Sequence, residues 1–162
     1  MPTIPSRAHT TYAVAAALTA ATLAGCGSGG SARSPDLSKL PLVPGARIVS
    51  QARTCDKGAN AFCDIELVVV APSYKTSAEL LTSEHAELRK SGWTGAEGDF
   101  GGQHAADSPG HKLHVTYALP YTDLGAYDFD YIKRSPTIAR ALAHLAFPGT
   151  PAMSVLLEIG SG

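Results

Sequence analysis

Six consecutive residues, Ile65-Glu66-Leu67-Val68-Val69-Val70, carry five aliphatic side chains, three of them adjacent valines. β-Branched side chains are stiff at χ1 and favour an extended backbone. The run is too short for a core helix, and Pro72 closes it, so it reads as a strand. A strand that is apolar at successive positions has no solvent face, so this one must be covered on both sides at one end.

Three further segments supply neighbours for it. Arg47 to Thr54 alternates modestly; Lys112 to Leu119 sets Leu113, Val115 and Tyr117 on one face and His114, Thr116 and Ala118 on the other; Met153, Val155, Leu157 and Ile159 alternate near the end. Between the first two strands lies Cys55 to Cys63, whose Asp56, Gly58 and Asn60 suit the turn of a hairpin. The helices announce themselves by their ends. Thr76 and Glu79 form a capping-box pair ahead of an apolar stripe of Leu81, His85 and Leu88, and Gly92 is placed to end that helix in a left-handed conformation before Trp93. Ser135 and Pro136 look like an N-cap and first helical position, followed by Ile138, Leu142 and Leu145. The order β-β-α-β-α-β predicts an α+β fold, a mostly antiparallel sheet of four to five strands with two helices on one face. Gly95 to Gly110 reads as a long polar loop or a loose hairpin.

With 162 residues, 44% of them hydrophobic, the chain has material for one small domain. Its formal net charge of -1 lacks the cationic excess a general nucleic-acid binder needs, so no nucleic-acid partner is expected. The first 25 residues hold one basic side chain, Arg7, and no acid, and an uncharged Ala- and Leu-rich run extends from Tyr12 to Ala24. That is the layout of a secretory signal segment, too short to cross a bilayer as a helix, which takes about 20 residues.

The run ends in Leu23-Ala24-Gly25-Cys26, which resembles the lipobox of bacterial lipoproteins. The resemblance implies that Cys26 receives a diacylglyceryl group, that residues 1–25 are cleaved away, and that the new amino terminus is open to acylation, as by palmitate. Two buried acyl chains hold a protein on a bilayer where one binds only reversibly. The chain is thus expected to be exported and anchored by lipid on Cys26 to the outer face of the cell membrane. Residues 26–39, rich in Gly and Ser, would be a tether, and residues 40–162 the single folded domain. If Cys26 carries lipid, Cys55 and Cys63 remain as an even pair. Outside the cytosol such a pair is expected to form a disulfide.

Candidate chemistry is sparse. His104, Asp107, His111 and His114 lie within eleven residues. On a strand, His111 and His114 would project to opposite sides and could not share one ion, whereas His104, Asp107 and His111 in a loop could converge. Ser108 has acidic and imidazole neighbours but no G-x-S-x-G frame, and the glycines at Gly98, Gly101 and Gly102 lack a strand-then-helix setting for phosphate. No cofactor or metal site is expected. Tyr121, Tyr127 and Tyr131 are candidates for contact with a partner: an extended backbone places Tyr127, Phe129 and Tyr131 on one face, and tyrosine offers apolar area with a polar tip.

Leu42-Val43-Pro44-Gly45-Ala46, the Cys55 and Cys63 spacing, the Gly92-Trp93 helix end and the alanine-rich signal resemble those of small actinobacterial envelope lipoproteins. That resemblance implies an envelope location and brings no established activity. The expected function is a non-catalytic binding or interaction domain whose partner is an envelope protein, a glycan or a lipid. The alternatives are a small hydrolase or metal-dependent enzyme using the 104–114 loop, and a carrier of an apolar ligand, which needs a cavity between sheet and helices.

Overall fold

A computed structural model describes residues 33–57, 61–95, 103–120, 134–146 and 149–160. The sheet comprises β1 (Arg47–Cys55), β2 (Cys63–Val70), β3 (Thr94–Gly95), β4 (Gln103–Asp107), β5 (Leu113–Ala118) and β6 (Ala152–Ile159). These six strands run in the order β1-β2-β6-β5-β4-β3, every neighbouring pair antiparallel. The fold class is α+β, as expected, with six strands among the described residues rather than four to five. The surplus comes from β3 and β4, at and within the stretch read as a long polar loop or a loose hairpin; the hairpin is what forms, β3 and β4 pairing antiparallel. Gln103-His-Ala-Ala-Asp has no hydrophobic alternation, and it becomes a strand by pairing along β5, with His104 opposite Tyr117 and Ala106 opposite Val115.

Among the described residues, two α-helices accompany the sheet: α1 (Ser77–Lys90) and α2 (Pro136–Ala146). The side chain of Thr76 accepts from the Glu79 N–H at 3.1 Å, and Glu79 reaches back to accept from the Lys75 N–H at 3.0 Å, so the start of α1 is satisfied as its sequence predicts. At the other end Gly92 takes φ +82°, and the Trp93 N–H bonds the Leu88 carbonyl at 3.0 Å, which turns the Trp93 ring back under the helix. Leu80, Leu81 and Leu88 of α1 join Leu67, Val69, Val115, Tyr117, Val155 and Leu157 in the main core.

The second helix does not join that core, contrary to the expectation that both helices share a face. Val68, which alternates with Leu67 and Val69, forms a separate cluster with Ile138 and Leu142 of α2. The reason lies in the valine run itself. Being apolar at every position, its end presents one face to α1 and the other to α2. Just before α2, the guanidinium of Arg134 bonds the buried carboxylate of Glu66 at 2.9 Å and so ties the helix start to β2. This pairing satisfies the one charge within the apolar run.

Cys55 and Cys63 face one another as direct cross-strand partners, their Cα atoms 3.9 Å apart, and are joined by a disulfide. The β1-β2 hairpin is therefore stapled at its loop end. The Arg33 carbonyl accepts from the Cys63 N–H at 2.7 Å, so part of the segment read as a tether, Arg33 to Lys39, already lies against the domain.

Candidate binding groove

The residues from His104 to His114 point in three directions. His104 lies on the α1 side of the sheet, where its ring sits 5.6 Å from those of His85 and Tyr117. His85 pairs with the Tyr117 hydroxyl at 2.7 Å, making it a hydrogen-bonded histidine at the edge of the core. Asp107 and His114 are cross-strand partners on the opposite face, where the Nδ1 of His114 lies 2.8 Å from Oδ1 of Asp107. His111 also reaches this carboxylate, at 3.3 Å. The expectation that His111 and His114 diverge is therefore corrected. His111 is not on the strand: it ends a short 3₁₀ turn with φ +52°, and that left-handed backbone swings its ring back toward Asp107. Burial pushes the Asp107 carboxyl up, but the hydrogen bonds from both imidazoles outweigh it and hold the group below the usual carboxylate range.

The same row of the sheet continues through Glu158 on β6, opposite His114, toward Asp64 on β2. Burial first, then the nearby charges of Glu158 and Asp56, push Asp64 up to about 6, and its buried Oδ1 has no hydrogen-bond partner among the described residues. Burial also raises Glu158, with His114 opposing. Among the described residues, however, no three His, Cys, Asp or Glu side chains assemble into a set that could hold a metal ion.

Ser108 serves a turn rather than a reaction. Its hydroxyl accepts from the Leu113 N–H at 2.9 Å and its own N–H bonds the Leu113 carbonyl at 2.9 Å, so the chain closes on itself between β4 and β5. This turn forms one wall of a groove of about 980 Å³. That volume is in the range of small-ligand sites. The facing wall is the segment from Arg33 to Pro41. Asp36 caps a 3₁₀ turn there by accepting from both the N–H and the hydroxyl of Ser38, bonds that keep its carboxyl below the usual range. Beyond it, Glu84 of α1 accepts from the Val43 N–H at 3.0 Å and pins the end of the wall to the core. Burial drives Glu84 up to about 7, with the Val43 hydrogen bond pulling the other way.

The floor of the groove is Leu40, Pro41, Trp93, Leu113 and Ile159, and its rim carries Arg33, Lys39 and Lys112. All three cations are exposed, and among the described residues none is in an ion pair. Asp36, already engaged by Ser38, is the acidic side chain of the lining. Sequence reading missed this site because Arg33 and Lys39 fall in a stretch that looks like spacer. The available signal was the Asp36-Leu37-Ser38 cap between two basic residues and Pro35 and Pro41, a pattern that orders a chain rather than loosening it.

Of the other residues singled out by sequence, Cys26, Tyr121, Tyr127 and Tyr131 lie outside the described residues. Among the described residues, the space between the sheet and α1 is filled by fully buried Tyr117, Leu67, Leu80, Leu88 and Leu157. Among the described residues no helix is long and apolar enough to cross a membrane. Compared with known protein families, with curated proteins and with solved structures, the chain matches none.

Proposed function

We propose that this is an exported protein, anchored through lipid on Cys26 to the outer face of the cell membrane, whose folded domain is a non-catalytic binding module. The observation that carries the binding reading is the groove: an apolar floor ringed by three exposed cations that make no ion pair among the described residues, walled by the very segment that leads back to Cys26. The dispersal of His104, Ser108 and His114 to three different places supports it over the hydrolase alternative. A general base must lie within hydrogen-bond reach of its nucleophile, and here Ser108 is spent on the backbone. The anchoring half of the reading rests on Leu23-Ala24-Gly25-Cys26 after a short apolar run.

The test is mass spectrometry of the amino-terminal peptide from the full-length gene product expressed in bacteria. The expected terminus is Cys26 with diacylglyceryl mass, with the protein in the membrane fraction, and Cys26→Ala is expected to accumulate as unlipidated precursor. A mature terminus elsewhere, without lipid mass, would overturn the assignment.

A further inference from the structure

We infer that the groove holds an anionic phospholipid, its headgroup on the Arg33, Lys39 and Lys112 rim and an acyl chain along the apolar floor. The inference deepens the binding reading above and rests on it. Three observations lead to this occupant. The first is charge complementarity: three exposed cations without ion pairs among the described residues stand around one carboxylate, Asp36, which is hydrogen-bonded by Ser38 and feels the charge of Lys39, so the rim stays cationic on balance. A rim of this sign attracts phosphate, and each Lys or Arg near an anionic lipid surface adds a comparable increment of attraction. The second is the floor, since Trp93 and the aliphatic side chains beside it give an acyl chain an apolar surface next to that rim, which inorganic phosphate or a sugar would leave unused.

The third is position. Arg33 stands seven residues after Cys26, and even a fully extended chain of that length spans at most about 25 Å. If Cys26 is lipidated, the groove is confined to the neighbourhood of the bilayer surface. The exposed ring of Phe62, opposite Arg33 in an isolated bridge, adds an apolar contact at this same end of the domain. Soluble anions are diluted through the periplasm or medium, whereas phospholipid is concentrated where this groove is held.

Trp93 is the single tryptophan of the chain and forms part of the floor, so its fluorescence reports on the groove, and the rim variants below separate it from the second recess that Trp93 borders beside His85 and Arg89. The full-length chain in nonionic detergent micelles is titrated with phosphatidylglycerol brominated on one acyl chain, a short-range quencher. Saturable quenching of Trp93 is expected, with brominated phosphatidylcholine binding about tenfold more weakly, and with Lys39→Glu/Lys112→Glu weakening phosphatidylglycerol by about tenfold or more. Circular dichroism verifies that the variant is folded, and Lys39→Gln/Lys112→Gln, which removes charge without reversing it, should fall between it and the parent. No quenching, equal quenching by the two lipids, or protection of Trp93 by millimolar inorganic phosphate would each overturn the phospholipid assignment. Because Cys26 modification is read separately by mass, a lipidated chain with an unquenched Trp93 would remove the occupant and leave the anchor standing.

Discussion

Glu84 shows how one buried carboxyl links the groove to pH. It accepts from Val43, two residues beyond the Arg33 to Pro41 wall, and burial raises it from an ordinary 4.5 to about 7. Between those values the folded chain holds a proton that the unfolded chain has lost, so stability falls as pH rises through the window. Asp64, raised to about 6, acts with the same sign but is largely spent by pH 6. Asp107 has the opposite sign, stabilising above its ordinary 3.8 and losing that contribution as pH falls below it. Glu158, also raised by burial, has the same sign, so the share of the decline between pH 6 and 8 that belongs to Glu84 is read from its variant. Glu84→Gln, which keeps an acceptor for the Val43 N–H, should remove a decline on the order of 1 kcal/mol over that interval. Urea unfolding at the two pH values checks this, and an unchanged decline in the variant would show that Glu84 is not the group responsible.

At the level of elements, the β1-β2 hairpin and α1 carry their instructions locally. The capping pair at Thr76 and Glu79, and Gly92 at φ +82°, act through near neighbours, which is why both ends of α1 could be placed from sequence. The disulfide closes a hairpin of sequence separation 8 and is directly cross-strand. Replacing both cysteines by serine should lower stability by about 2–3 kcal/mol, measured by chemical denaturation of oxidised parent and variant. A loss under about 0.5 kcal/mol would mean that β1 and β2 hold their loop without the bond. The elements invisible to periodicity were β3 and β4. Ala105 and Ala106 are both buried yet lie on opposite faces, and small side chains at adjacent positions carry no amphipathic signal.

Across the whole molecule, the decisive arrangement is the division of the two helices between the faces of the sheet. Ile138 is fully buried against Val68, on the side away from α1. Ile138→Ala should cost about 2–4 kcal/mol, as expected for a packed core position. Hydrogen exchange should show the loosening concentrated in β1 and β2 rather than in β5, because the helix touches the former pair. A cost near zero would mean that α2 rests on the sheet without forming a second core.

What the sequence determined by itself was whatever short-range chemistry encodes: the strand run at Ile65 to Val70, the caps and limits of α1, the start of α2 at Ser135 and Pro136, and the α+β class that follows from their order. The valine run even implied two covered faces, although nothing local said which element would supply the second cover. Tertiary structure alone decided the side on which α2 lies, the pairing that turns Gln103 to Asp107 into a strand, and the swing of His111 onto Asp107. It also decided the groove. Arg33, Trp93 and Lys112 are far apart in the chain and become neighbours because the 108–113 turn and the Arg33 segment meet at one end of the sheet. Local sequence encodes backbone preference over a few residues, whereas a binding surface is assembled from contacts whose partners are fixed only when the strands find their register.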